Sequence, residues 1–450
     1  METCNHNSLA EAIARYLRKG CSHNRARRVG FELEQFVVDP ATYAPVTYAG
    51  DPVTGAPGVG EILRRLAPHY DFQNIERRND GEANLIALMR DKMSITLEPG
   101  AQLEISVGPA DTLAELEELH RSFRQELDPI LDEFGYALVC RGYHPSACAH
   151  EVPLIPKDRY TYMDSYFGET GHTGICMMRA SAATQTSVDF SDEDDAVRKY
   201  RIAHALGPFF SFITDNTPVY EGVDIKAAYR AASLADADGA VRSPRSGRVI
   251  PPRMARMANW DDCDPKRCLT PRVTFEEEFG LLSYAEEMLA APAIFTYDDT
   301  PLHQTVYQGH TPFCDVYAGR DLDEGTIEHI LSLFFYDVRL KHYVEIRQAD
   351  SMPIDYALAF TALCMGLFYN EEAVVHYTER FARVDAAAVA AAKSALRHDG
   401  YDAVVYGRPA AEQLDELVAF AVAGLTEKEK PYLEPLAALV RQRTTLFDLA

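Results

Sequence analysis

"SITLEPGAQLEIS" (residues 94–106) sets two glutamates, Glu98 and Glu104, on either side of a Pro-Gly corner in what otherwise reads as strand. Leu103, Ile105 and Val107 alternate with Gln102, Glu104 and Ser106, the two-residue period of a half-buried β-strand. If the Pro99-Gly100 corner adds no bulge, Glu98 shares the parity of Glu104. The segment is then expected to present a carboxylate pair with an amide, Gln102, between them.

Working outward, NLIALMRDKMSITLE (84–98) predicts a hairpin with Asp91-Lys92 at its tip, whose second strand runs into this segment. RRVGFELEQFVVD (27–39) alternates Phe31, Leu33 and Val37 against Glu32 and Glu34. Its two carboxylates leave one face roughly 6 to 7 Å apart. CMMRASAATQTSVDF (176–190) is expected to be strand, with Gln185, Ser187 and Asp189 on one parity, and LKHYVEIRQAD (340–350) is expected to be strand with Glu345 and Arg347 together.

If these four strands are neighbours, five glutamates converge: Glu32, Glu34, Glu98, Glu104 and Glu345. Like charges so close require raised pKa values or bound cations. Hard oxygen ligands without His or Cys favour Mg²⁺ or Mn²⁺ over zinc, and Mg²⁺ with few carboxylates favours phosphate as companion, which points to ATP. For one pair alone a solvated outer face is the ordinary explanation. Four pairs on separate strands, one with arginine beside glutamate, favour a shared site.

Composition agrees with a soluble enzyme. The 450 residues are 47% hydrophobic and 25% charged, with a formal net charge of −24. That charge argues against nucleic acid or an anionic membrane as partner and leaves small molecules. Nine cysteines, an odd number without a CxxC pair, fit a reducing cytoplasm. Cys263 and Cys268 lack two further ligands for zinc and read as reduced loop thiols. METCNHNSLAEAIARYLRKG has no apolar signal region, and no apolar run approaches eighteen residues, so neither export nor membrane insertion is expected.

Helices are expected over 8–19, about 111–135, the tyrosine-rich stretch IPKDRYTYMDSYF (155–167), and about 192–213 with Ser191 as N-cap. YALVCRGY (136–143) reads as strand. TGAPGVGEILRRL (54–66) matches neither the dinucleotide nor the Walker spacing and is loop punctuation before a helix. Residues 217–273 are loop-rich and contain the single tryptophan, a long irregular segment of the kind that carries function. From Pro353 onward the pattern is helical. The division expected is a catalytic domain over 1–375 and a helical extension over 376–450 packed on it. Tyrosines 160–166 read as core, and His144, His172, His303 and His310 as structural.

Taken in order, GFELEQF, NLIAL with DKMSITLEPGAQLEIS, PKDRY, VDFSDEDDAVRKYRIAHALGPFF with NTPVYEG, RMANWDDCDPKR and YVEIRQAD resemble the blocks of the glutamate–cysteine ligase family of the plant and proteobacterial type, over roughly residues 27–370. The resemblance implies an α+β fold like the glutamine-synthetase and guanidino-kinase catalytic domain, a curved, mainly antiparallel sheet backed by helices. It implies that ATP and glutamate bind with Mg²⁺ (or Mn²⁺), that a γ-glutamyl phosphate forms, and that cysteine displaces phosphate. By motif, Glu32, Glu34, Glu98, Glu104 and Glu345 would hold metal, and Glu345 and Arg347 would lie nearest the chemistry. Gln102, Gln185 and Ser187 would contact substrate or the metal surroundings; Lys157, Arg159, Arg256, Arg267 and Arg347 would meet phosphate or carboxylate.

Four departures stand out: Ala101 for the family's second glycine, Ser187 for asparagine, Arg179 one position off the usual arginine, and Gln348 for glycine. They bear on the amine acceptor more than on ATP. The alternatives are the same chemistry with another amine, a metal-dependent hydrolase, which needs a base that no motif supplies, and a silent binding protein, which would have lost the glutamates.

Overall fold

Nine strands build one sheet: β1 (Val29–Val38), β2 (Phe72–Arg77), β3 (Ala83–Arg90), β4 (Met93–Leu97), β5 (Leu103–Ala110), β6 (Ala137–Val139), β7 (Ala183–Val188), β8 (Val338–Leu340) and β9 (Val344–Asp350). The structure, a computed structural model, describes residues 2–22, 27–232, 240–298 and 304–450. The strand order is β8-β9-β7-β1-β5-β4-β3-β2, every pair antiparallel, with β6 beside the far end of β1. The expected α+β architecture, a large antiparallel sheet with helices, is present.

The Pro99-Gly100 corner is a complete reversal, not a kink within one strand. Glu98 N–H donates to the Gln102 carbonyl at 3.0 Å and Ala101 N–H to the Glu98 carbonyl at 2.9 Å. That is a three-residue hairpin loop, whose last position is left-handed and usually glycine. Ala101 holds it at φ 65. Gly100 has its own reason: a Cβ there would lie 2.1 Å from the Arg179 carbonyl.

Phe31, Leu33, Leu103, Ile105 and Val107 are buried on the face covered by helices Leu113–Phe134, Glu193–Ile213 and Ile354–Phe368. The last is buried almost all round and so reads as apolar. Among the described residues no single helix is long and apolar enough to cross a membrane.

Three expectations need correction. The 176–190 stretch begins as helix Gly174–Ala180 and becomes strand only at Ala183. Its run of Cys176, Met177, Met178 and Ala180 is apolar without alternation, and a short run of that kind does not distinguish strand from buried helix. The N-cap of Glu193–Ile213 is Asp192, not Ser191; its side chain accepts from Asp195 N–H at 2.8 Å. The 375/376 boundary falls inside helix Glu371–Arg380, and the helices beyond it pack on Ile354–Phe368 and Glu193–Ile213.

Candidate active site

Register places the polar pairs side by side. Glu32 faces Gln185 on one side and Ser106 on the other, and Ser106 faces Ser94. In the next row Glu34 faces Glu104, which faces Thr96. Glu98 lies two residues beyond Thr96 on the same face, opposite Gln102 at the hairpin loop. All four carboxylates line a cleft of about 360 Å³, whose other walls include Tyr160, Met163, Met177, Met178, Trp260 and Phe335. A second cavity, of about 520 Å³, adjoins it and shares Glu32 and Ser106; Ser187 lines this one.

Burial, then Glu104 and Glu345, pushes the Glu32 carboxyl up to about 8. Burial and the Glu104 charge bring Glu34 to about 7, burial and Glu34 bring Glu98 to about 7, and burial and Glu98 bring Glu104 to about 7. Their hydrogen bonds hold them in place without neutralising them. Gln185 Nε2 and Ala183 N–H reach the two oxygens of Glu34 at 2.9 and 2.8 Å, and Thr96 Oγ1 reaches Glu104 at 2.6 Å. Four carboxyls poised near neutrality with protein cations only at their margin fit divalent cations with oxygen ligands.

Glu345 differs. Although burial alone would raise it, Arg339, Lys341 and Arg347 hold it well below the usual carboxylate range. Arg339 Nε and Arg347 Nη1 reach one oxygen at 2.7 and 2.9 Å, and Lys341 Nζ reaches the other at 2.8 Å. With its charge already compensated, fully buried and outside the cleft lining, Glu345 lacks the character expected of a metal ligand and instead anchors three cations that do line the cleft.

Arg347 owes its aim to a bulge. Ile346 pairs with Thr186 and Ala349 with Thr184, so Arg347 and Gln348 together oppose Gln185. Arg347 Nη1 donates to Gln185 Oε1, while Gln348 turns to the helix side, its Nε2 against Ala203 O at 3.4 Å and close to Gly207. The glutamine in place of glycine at 348 thus packs on a helix and does not line the cleft.

Lys157 and Arg159 line the cleft near Glu98; burial, then Arg159, lowers Lys157 to about 8. Arg256 is buried, donates to the Arg347 carbonyl at 3.3 Å and lies over the Trp260 ring, beneath the cleft wall. Gln102 does not face the cleft: its side chain accepts from Gly100 N–H and donates to Ser181 O, both at 2.8 Å, splicing the hairpin loop to the chain ahead of β7. Arg267 is also turned away. It is wholly buried and spent on Asp264 and on the carbonyls of Leu333 and Pro292. Arg179 forks onto Asp164, with its Nε at 2.8 Å. His144 is buried against Phe36, while His172 and His310 pair with Asp262 and Glu169 on the surface; His303 lies outside the described residues. No described histidine lines the cleft.

Sequence reasoning missed Arg339 and Lys341. Their parity with Glu345 on the far side of a short turn was the available signal. It also missed Trp260 as a wall and Thr96 as the partner of Glu104.

Comparison with known proteins gives a consistent picture. The family model described as glutamate-cysteine ligase family 2 matches residues 28–445. Glutamate–cysteine ligase B, chloroplastic, of Oryza sativa subsp. japonica is 28% identical over 377 residues, covering 81% of this chain and 67% of the rice protein. The chloroplastic glutamate–cysteine ligases of Nicotiana tabacum and Arabidopsis thaliana are each 28% identical, over 374 and 371 residues, covering 80% and 81% of this chain and 63% of each relative. The chain spans about two thirds of the length of the curated relatives it matches.

Proposed function

The chain belongs to glutamate-cysteine ligase family 2, and from that premise we propose that it joins the γ-carboxylate of glutamate to the amino group of cysteine, converting ATP to ADP and phosphate. The observation that carries this reading is the strip of four carboxyls with raised pKa values, lining one cleft that adjoins a second cavity at Glu32 and rimmed by Arg347, Arg339, Lys341, Lys157 and Arg159. Glu32, Glu34, Glu98 and Glu104 are the groups to hold Mg²⁺ or Mn²⁺, and bound there such ions supply positive charge against the phosphates. A glutamine-synthetase-type sheet is part of the same reading.

In the first step an oxygen of the γ-carboxylate bonds to the γ-phosphorus and the bond to ADP breaks. In the second the free amine, having shed one proton from its ammonium form, bonds through nitrogen to the acyl carbon, phosphate leaves, and the nitrogen loses a second proton to solvent and keeps the third as the amide N–H. Such transfer needs positioning and charge more than a covalent catalyst. Arg347, held by Gln185 and Glu345, presents a fixed guanidinium to an anionic oxygen. Trp260, Tyr160 and Met163 keep water from an acyl phosphate.

A second reading, the same chemistry with another primary amine as acceptor, is favoured by Ser187, whose side chain is shorter than the asparagine of the resembled motif. The hydrolase reading finds no histidine base among the described cleft residues. Eight of the nine cysteines are free thiols, which suits a reducing compartment, and we propose that the protein is cytoplasmic. Incubation with ATP, Mg²⁺, glutamate and hydroxylamine tests the acyl phosphate: γ-glutamyl hydroxamate is the expected product. ADP formed without hydroxamate would contradict the route.

A further inference from the structure

Glu221, in the turn between Val219–Tyr220 and Val223–Asp224, is 0% exposed and takes φ 49. One oxygen, Oε1, accepts from Tyr143 Oη at 2.5 Å, Ala149 N–H at 2.8 Å and Cys176 Sγ at 3.7 Å. The other, Oε2, has no hydrogen-bond partner. Arg248 Nε forms an ion pair with it at 3.7 Å, beyond hydrogen-bond reach, while Nη1 of the same guanidinium donates to the His172 carbonyl. A buried carboxylate oxygen without a hydrogen bond is costly even beside a cation.

Two further ligand atoms come to the same place. Cys148 caps the short turn Ala149–Glu151, and its thiol lies 3.3 Å from the Glu221 carbonyl; His150 follows two residues later on the exposed side of that turn. The ligand atoms of Cys148, His150 and Glu221 all lie within 4.8 Å of one another. Thiol, imidazole and carboxylate are a donor set for Zn²⁺, unlike the oxygen-only cleft.

We propose that Cys148, His150 and Glu221 form a zinc site separate from the carboxylate cleft, with a fourth position open to solvent beside His150. On binding, the Cys148 thiol releases its proton to buffer, so the ion's two charges meet one thiolate and one carboxylate. Glu221 Oε2, which has no hydrogen bond, gains a direct bond to the ion. The ion staples the Ala149–Glu151 turn to the Glu221 turn, and through Tyr143, which bridges Ser181, to the chain entering β7.

The test uses the whole protein, stripped by chelator, held in excess Mg²⁺ and titrated with Co²⁺ as a spectroscopic probe. Because the cleft contains no thiol, thiolate-to-cobalt absorption does not come from it and is independent of ligase activity, and loss of the band in Cys148→Ala assigns it to this site rather than to another of the cysteines. One equivalent is expected to generate that absorption and Zn²⁺ to abolish it. Cys148→Ala is expected to lose it, and His150→Ala, an exposed change that leaves folding intact, to weaken cobalt binding at least about 10-fold. No thiolate absorption in the unmodified protein, or absorption and affinity unchanged in either variant, overturns the proposal.

Discussion

Glu34 on β1 and Glu104 on β5 stand directly opposite each other across an antiparallel ladder. Like charges at such positions destabilise a sheet. Glu32 beside them and Glu98 at the hairpin loop add to the same repulsion.

That repulsion sets a pH dependence. The four carboxyls are pushed to about 7 or 8 in the folded protein, against an ordinary 4.5. A raised folded pKa means that the folded state holds more protons, so the stability involved is present below the ordinary value and is lost as pH rises through the folded one. With chelator present, the melting temperature is expected to fall between about pH 5 and pH 8, and Mg²⁺ to restore it most at the upper end. A calorimetric series that Mg²⁺ shifts equally at both ends would count against a metal-binding carboxyl strip.

Glu104→Gln separates function from stability. The amide keeps an oxygen for Thr96 Oγ1 but removes a charge facing Glu34. Turnover is expected to drop by at least about 100-fold, roughly 2.7 kcal/mol of activation energy. Metal-free protein at pH 8 is expected to gain on the order of 1 to 2 kcal/mol. Steady-state rates and denaturant midpoints on one preparation check both.

Two arginines expected to behave alike should behave differently. Arg347→Lys loses the planar guanidinium that Gln185 and Glu345 hold through its Nη1 and is expected to lower kcat at least about 10-fold at nearly unchanged melting temperature. Arg267→Lys leaves Asp264 and two buried carbonyls short of donors and is expected to lose about 3 kcal/mol of stability with KM values unchanged. A kinetic defect in Arg267→Lys at native stability would return that residue to the site.

Ala101→Gly tests the hairpin loop. At φ 65 an alanine is strained by about 1 to 2 kcal/mol, part of which glycine returns as greater freedom of the unfolded chain. A net gain of about 0.5 to 1 kcal/mol is expected, with kcat unaltered, from equilibrium unfolding and initial rates.

Much of this arrangement was legible because strand parity is strict. Glu32 and Glu34, Gln185 and Ser187, and Glu345 and Arg347 could be paired from spacing alone, and the sheet order brings their strands together. Parity fails wherever an extra residue enters. The bulge at Arg347 and Gln348 and the reversal at Pro99-Gly100 both depend on backbone angles that side-chain patterning does not encode.

Charge compensation was less legible. Arg339, Lys341 and Arg347 meet on Glu345 through pairing of β8 with β9, so a glutamate read as a ligand proves to be already neutralised. Arg267 shows the converse. An arginine in a motif looks the same whether its donors face a ligand or three buried acceptors, and only the fold decides.

Phosphate release from ATP with Mg²⁺ tests the account most directly, run with glutamate alone, with glutamate plus cysteine, and with glutamate plus other amines, with products weighed by mass spectrometry. Release is expected to require glutamate, to rise with cysteine and to yield γ-glutamylcysteine in step with ADP. Release that prefers another amine would keep the mechanism and change the acceptor; no glutamate-dependent release with any amine would contradict the account.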